Sequence, residues 1–280
     1  MAEGASPGPK AARFARKVAI VTGGASGIGA AFVRRVHGEG GAVMIADLDR
    51  ERGEAMASEL GERAAFAAVD VADADALAAL ADDTAARFGG IDILYNNAGI
   101  GCYGLTPDLA IEQWRRVVAV NLDAVFYGCR AVIPHLKARG GGAIVNTASA
   151  SGLHADYGFT AYNAAKAGVI NYTRSLAIDH ARDNIRANAV CPGPVETPAL
   201  TNWVETMPGL RPQWDKVVPA GLFATAEEIA AVAAFLASDD ASAVTGAAIP
   251  VDGGLTAHTG QPDVRDRVAA AAAAEQGEGR

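Results

Sequence analysis

Tyr162 and Lys166 stand four residues apart in a stretch with helical periodicity (161–181), so both side chains leave the same helix face. An ammonium beside a phenol favours phenolate and lowers the tyrosine pKa from its ordinary value of about 10. A phenol tuned in this way exchanges a proton with an alcohol or a carbonyl near neutral pH. Ser149 lies 13 residues before Tyr162, just after an apolar run, where its hydroxyl can hold the reacting oxygen beside the phenol. Asn121 interrupts the apolar run Val117-Val118-Ala119-Val120-Asn121-Leu122. Asparagine is a poor helix former, which suggests a task there. A buried amide satisfying a backbone group is the other reading.

A second constellation concerns a dinucleotide. Thr22-Gly23-Gly24-Ala25-Ser26-Gly27-Ile28-Gly29 follows an apolar run and opens a helical pattern. Such a turn lets backbone N–H groups approach a pyrophosphate, and the helix N-terminus adds partial positive charge. Its spacing is GxxxGxG rather than GxGxxG. Asp47 follows 18 residues after Gly29, at the end of the next apolar run. A carboxylate there can accept from both ribose hydroxyls of adenosine and repels a 2′-phosphate. Neither Ser26 nor Leu48 is basic, although Arg50 is near, so NAD is favoured over NADP. Asp70-Val71 closes the third apolar run, where adenine would lie. Asp70 can accept from the adenine amino group or cap the helix that begins near Asp73. Asn96-Asn97-Ala98-Gly99 ends the fourth run. Its amides can tie adjacent strands, and its glycine permits close approach to the cofactor.

These residues need a scaffold, and the pattern supplies one. Apolar runs at 18–21, 42–46, 64–69, 91–95, 143–147, 186–190 and 248–251 alternate with helical stretches at 28–37, 49–60, 74–88, 111–137, 161–181 and 227–237. Continuous apolar strands alternating with helices predict an α/β fold: a single-domain, Rossmann-like, doubly wound parallel sheet with helices on both faces. The expected organisation is a flexible segment 1–16, a dinucleotide-binding domain 17–257 and a tail 258–280.

The balance of charge is −8, with no basic patch, which argues against a nucleic-acid partner. Cys102, Cys129 and Cys191 are odd in number and lack CxxC spacing, as expected of reduced thiols without a metal site. No signal-peptide core is visible, and no uninterrupted apolar run reaches the ~20 residues of a membrane span. A cytoplasmic protein without a membrane partner is the expectation.

Taken together, Thr22–Gly29, Asp70, Asn96–Gly99, Asn121, Ser149, Tyr162, Lys166 and Pro192-Gly193 resemble the short-chain dehydrogenase/reductase family, in order over residues 17–255. The resemblance implies that Tyr162 is the general acid/base and that Ser149 orients the reacting oxygen. Lys166 would bind the nicotinamide ribose and tune Tyr162, and Asn121 would hold a water of a proton relay. Val195 and Thr197 match positions that hold the nicotinamide amide. Residues 146–168, Ala189-Val190-Cys191-Pro192 and Val251-Asp252-Gly253-Gly254-Leu255-Thr256-Ala257 are loosely similar to NAD-dependent 2,3-butanediol (acetoin) dehydrogenases. Glucose and polyol dehydrogenases share much of that pattern.

The implied substrate is a secondary alcohol or its ketone, such as a small diol, polyol or hydroxyketone. A 3-oxoacyl-carrier-protein reductase, a hydroxysteroid or terpene alcohol dehydrogenase, and a catalytically silent NAD-binding regulator are the alternatives. The pocket should lie outside the carboxyl ends of the strands. Ser149, the stretch 152–159 with Gly152, His154 and Tyr157, Cys102-Tyr103, and Trp203, Met207 and Trp214 of a lid (198–214) are its candidates. The two long helices are apolar around much of their circumference, and the resemblance implies a homotetramer built on them, with a dimer as the alternative.

Overall fold

All seven apolar runs become strands of one parallel sheet. The protein is known here from a computed structural model, which describes residues 12–221, 223–259, 264–265 and 267–268. In chain order the first half is β1 (Val18–Thr22), α1 (Gly27–Gly38), β2 (Ala42–Asp47), α2 (Arg50–Leu60), β3 (Ala64–Ala68), α3 (Ala74–Phe88) and β4 (Ile93–Asn96). The second half continues with α4 (Ile111–Val118), a π-helical turn (Ala119–Asp123), α5 (Ala124–Ala138), β5 (Gly142–Thr147), α6 (Ala150–Leu153), α7 (Thr160–His180) and β6 (Ile185–Pro192). The two-residue strands β7 (Val195–Glu196) and β8 (Ala224–Thr225) pair with each other and enclose α8 (Pro198–Glu205) and α9 (Leu210–Val217). Then come α10 (Ala226–Ala237) and β9 (Ala248–Val251).

The sheet order is β3-β2-β1-β4-β5-β6-β9, parallel throughout. The pleat explains the unbroken hydrophobicity of the strands. Ala19, Val21, Val43, Ile45, Ile93 and Tyr95 face one core, packed by α1, α2 and α10 through Phe32, Val36, Met56 and Ile229. Ile20, Met44, Ala46 and Leu94 face the other, packed by α3, α5 and α7 through Leu77, Leu80, Val132, Leu136 and Val169. The chain leaves β3 at one edge and resumes at β4, beside β1. The order reverses there, and a crevice opens beyond the carboxyl ends of β1 and β4, the usual ligand position in such sheets.

Three sequence expectations change. The third strand ends at Ala68, so Asp70 and Val71 belong to the loop beyond it. The long helix 111–137 is not one α-helix, because Ala119–Asp123 widens to a π turn around Asn121. The run Ile111–Ala138 is also long and apolar enough to cross a membrane by length and composition, an 18-residue stretch of it having a mean hydropathy of 1.4. The sequence reading missed this because the apolar residues are interspersed with polar ones. In the fold Val125, Cys129, Val132 and Leu136 of this run are core residues.

Part of the N-terminal segment expected to be flexible is packed. Phe14 is 1% exposed, its N–H donates to the Glu39 carbonyl, and Arg13 pairs with the Glu39 carboxylate at 2.7 Å. One aromatic ring with a surface to bury suffices to dock residues 12–16. Residues 1–11 and most of the expected tail lie outside the described residues.

Candidate active site

The helix α7 carries Tyr162 and Lys166 past the carboxyl end of β5. Lys166 is 3% exposed, and its Nζ donates to the Thr147 carbonyl at 2.7 Å. The same ammonium lies 5.6 Å from the centroid of the Tyr162 ring. Ser149 is the N-cap of α6, and its hydroxyl acts on the Tyr162 phenol in the direction that favours phenolate. Gly152 on α6 sits so close to α7 that a Cβ there would lie 2.6 Å from the Lys166 carbonyl carbon. Its place is therefore helix contact rather than a wall of the substrate pocket.

Asn121 joins this group through the π turn. Its Nδ2 donates to the carbonyls of Ile100 and Val117, and its Oδ1 accepts from the Ile100 N–H at 3.2 Å. The amide thus satisfies backbone groups on two segments. A Cβ on Gly99 would stand 2.7 Å from Asn121 Oδ1 and 3.5 Å from Lys166 Nζ, so these three residues meet at one point. Residues 99, 121, 149, 162 and 166, spread over 68 positions, share one site.

Its electrostatics differ from the sequence expectation. Burial pushes the Tyr162 phenol above its ordinary value; the Ser149 hydrogen bond opposes this and the Asp156 charge adds to it. Burial also pulls Lys166 down to about 8. The Lys166 ammonium donates to Thr147, and desolvation is the leading cause for both groups.

The dinucleotide residues line the crevice. Gly23 and Gly27 have φ of +61° and +51°, which favours glycine, and a Cβ on Gly29 would lie 2.1 Å from the Gly23 carbonyl oxygen. Asn97 Nδ2 donates to the carbonyls of Thr22 and Gly23, while Thr22 Oγ1 accepts from the N–H groups of Asn97 and Ala98. The loops after β1 and β4 therefore form one rim. Ser26, the N-cap of α1, makes no side-chain capping bond, and the first turn of α1 has no acidic residue. That arrangement suits an anion at the helix N-terminus.

Asp47 accepts from the N–H groups of Ala25 and Asp49, both at 3.0 Å. The cap of α2 is Asp49, not Asp47. Arg50, the nearby cation, pairs with Glu54. Leu48 is 64% exposed beside the crevice. Asp70 accepts from the Ala72 N–H and lies 3.4 Å from Arg116; the cap of α3 is Asp73. Val71 is a core side chain, so only its backbone can face a ligand. Ile28 is half-buried against the core under α1. On the far side, Thr197 caps α8 and its methyl would be 3.2 Å from a Cβ on Gly27. Val195 is buried, Pro192 ends β6, and Gly193 packs on Asp252.

Pocket candidates fare unevenly. The Phe159 ring touches those of Tyr103, Tyr162 and Trp203, with centroids 5.9, 6.3 and 5.9 Å away. Trp203 thus stands near the site. Tyr157 is 99% exposed and Met207 40% exposed, while His154 is exposed at the end of α6. Trp214 meets Phe223 instead, the two rings tilted by 51°. The aromatic wall is Phe159, not Tyr157, since α7 begins at Thr160 and turns the preceding residue inward. Phe159 and Asp156 lie in the stretch 152–159 expected to border the pocket; sequence reading missed the Thr147 carbonyl and Ser151.

Comparison with known proteins agrees with this geometry. A family model described as enoyl-(acyl carrier protein) reductase matches residues 23–256. A meso-2,3-butanediol dehydrogenase of Serratia marcescens is 42% identical over 90% of this chain and 99% of its own. The chain belongs to the short-chain dehydrogenase/reductase family. Another member, a cyclohexanol dehydrogenase of Acinetobacter sp. (strain SE19), is 40% identical over 87% of this chain and 96% of its own. The solved structure of levodione reductase superposes with a TM-score of 0.83 at 36% identity, covering 88% of this chain and 99% of that one. As a short-chain dehydrogenase/reductase, the protein is an oxidoreductase acting on CH–OH groups.

For a member of this family, Gly29→Ala is expected to force the β1–α1 turn open. A Cβ 2.1 Å from a backbone oxygen cannot be absorbed by a side-chain shift. Overpacking of this kind costs about 1–3 kcal/mol, and titration with reduced dinucleotide should show affinity reduced by tenfold or more (~1.4 kcal/mol).

Proposed function

We propose that the protein interconverts a secondary alcohol and its ketone with NAD(H), with Tyr162 as general acid/base. The observation that carries this reading is that Tyr162 lies beside Lys166, whose ammonium meets Asn121 and Gly99 at the mouth of the crevice, with Ser149 acting on the phenol. The glycine turn, whose tight approach at Gly29 leaves no room for a side chain, fits a pyrophosphate at α1. A bound nicotinamide accepts hydride from the alcohol carbon or returns it to the ketone. Ser149 holds the reacting oxygen, and Tyr162 takes or gives its proton at the phenol oxygen. Lys166 binds the ribose and supplies positive charge near the phenol. Asn121 holds the backbone open at Ile100 and positions a water of the proton relay. Ser26, Ile28, Leu48, Asp70, Val71, Asn97, Ala98, Gly193, Val195 and Thr197 contribute the remaining cofactor surface.

Asp47 supports NAD over NADP. It faces the glycine turn rather than capping α2, and Arg50 is drawn off to Glu54. Asp47→Ala is expected to raise the NADP/NAD ratio of kcat/KM by about tenfold, as expected for removal of one close like charge. Initial rates with both cofactors measure this, and an unchanged ratio counts against the reading.

The substrate of this reading is a small diol, polyol or hydroxyketone, as with the relative that acts on meso-2,3-butanediol. A second reading, an alicyclic alcohol, is favoured by the aromatic wall of Tyr103, Phe159 and Trp203. A panel of diols, polyols, cyclohexanols and hydroxysteroids, followed by nicotinamide absorbance, separates the two. Highest kcat/KM on cyclic alcohols selects the second. No turnover of any secondary alcohol in either direction would leave a silent dinucleotide-binding protein instead.

Self-association is part of the proposal. Phe126, Trp114 and Ile178 are exposed apolar residues of α5, α4 and α7, and the Phe126 and Tyr172 rings meet across α5 and α7. A homotetramer through these helices would cover them. Three buried free cysteines fit the reducing cytoplasm.

A further inference from the structure

The loops at the amino ends of the strands enclose a cavity of about 880 Å³ that the proposed reaction does not use. It lies at the other end of β1 from the glycine turn, about 13 Å of strand away. Its size is that of a small-molecule site. Arg16, Lys17, Arg63 and Arg139 line it, together with Phe88 and Asp92. Four cations thus meet in a chain that carries 32 acidic and 24 basic residues. They come from three separate stretches of sequence, so only the fold assembles them.

The partners already present leave this charge uncompensated. Asp92 accepts from the Val18 N–H at 2.9 Å and from Arg139 Nη2 at 3.1 and 3.2 Å, so the one carboxylate is matched by one guanidinium. Lys17 reaches Asp239 only at 3.8 Å, and that carboxylate is 87% exposed. Arg63 donates through Nη1 to the carbonyls of His37 and Gly41 at 3.0 and 2.6 Å. These bonds orient the guanidinium without neutralising it. Arg16 has no ion pair among the described residues. Burial lowers the His37 pKa and the Arg63 charge adds to this, so the potential at that corner is positive.

The backbone of Arg16 carries a second observation. Its φ is +63°, in the left-handed region that a Cβ disfavours. Asn184 is the other described non-glycine residue there, and asparagine tolerates the conformation. The buried Phe14 ring, and a hydrogen bond from the Lys17 N–H to the Phe14 carbonyl at 2.9 Å, hold the turn around Arg16. Strain kept in place by its surroundings points to a use for the side chain that bears it.

We propose that this cavity binds a small multivalent phosphate, an oligophosphate or the phosphate chain of a nucleotide, with Arg16 and Arg63 as its principal ligands. Arginine forks take phosphate oxygens in pairs, and a space of this size accepts several linked phosphates. The cavity and the catalytic crevice lie at opposite ends of the sheet, so the site stands whether or not the proposed reaction does.

The test is calorimetric titration of the full chain with sodium tripolyphosphate and with ATP, without divalent cations, in about 0.15 M salt. Both are expected to bind the parent with Kd below about 1 mM. Arg16→Gly removes the cation and relieves the backbone, so its thermal midpoint without ligand should equal or exceed the parent's. Its affinity for both probes should fall by about tenfold or more, as for loss of one charged hydrogen-bonding partner. Arg16→Lys, which keeps the charge, should lose less. Tighter binding of ATP than of tripolyphosphate identifies a nucleotide ligand, with Phe88 beside its base; equal binding identifies the phosphate chain alone. Equal affinity of the parent and Arg16→Gly overturns the proposal, because it places the anion elsewhere, the α1 turn included. Absence of binding overturns it too, as does a rise in the parent's thermal midpoint that sodium chloride of equal ionic strength reproduces.

Discussion

Tyr162→Phe should reduce kcat for alcohol oxidation by about 10³-fold, within the range for loss of a positioned acid/base. The substitution removes one oxygen and keeps the ring, so the contact with Phe159 and the fit of α7 persist. Ser149 loses its partner in the site but keeps the Ser151 N–H. The stability cost is then about 1 kcal/mol, that of one hydrogen bond, and dinucleotide affinity stays close to the parent's. The pH profile carries the sign. Oxidation requires the deprotonated phenol, and burial places its titration above the ordinary range. Oxidation by the parent therefore climbs on the alkaline side, and ketone reduction falls over the same range. The residual rate of the variant should show neither limb. Stopped-flow and steady-state rates measure both effects, and a variant keeping a tenth of the parent's turnover would remove Tyr162 from the chemistry.

Lys166→Met should separate catalysis from stability. Loss of the ammonium removes the proposed ribose ligand and the positive charge beside the phenol, and turnover should fall by about 10²-fold or more. Stability responds differently. The Lys166 pKa is lowered by burial from 10.5 to about 8. The unfolded chain therefore holds its proton over a window in which the folded chain has lost it. The folded state is penalised below about 8, and the penalty fades as pH rises toward the ordinary lysine value. The parent thus gains stability across that window, by up to about 3 kcal/mol, whereas the methionine variant does not. Denaturant melts at pH 7 and pH 10 should show the variant's stability relative to the parent falling by that order. A constant difference would mean that the ammonium is less desolvated than its burial implies.

The sheet and the family were largely legible in the sequence; the details set by packing were not. Strands flanked by helices on both sides must be apolar on both faces, and that left the seven runs in plain view. The Tyr162–Lys166 pair was legible because helix periodicity is local. The cap of α2 falls to Asp49 rather than Asp47, a choice between neighbours that packing makes. The expected lowering of the Tyr162 phenol failed for a reason of packing. Spacing tells that two groups share a face, not how far burial desolvates them. Tyr157 and Phe159 illustrate the same point. Both are aromatic residues of one loop, and the start of α7 alone determines which points inward.

The widened turn around Asn121 also fixes the phase between α4 and α5. One surplus residue in a helix rotates everything downstream by about 100°. The apolar stripe that seats Val125, Cys129, Val132 and Leu136 on the sheet is therefore aligned only with the surplus residue in place. Excising a residue from 119–123 would restore a regular hydrogen-bond ladder and swing that stripe toward solvent. Local regularity and correct assembly are opposed at this point in the chain.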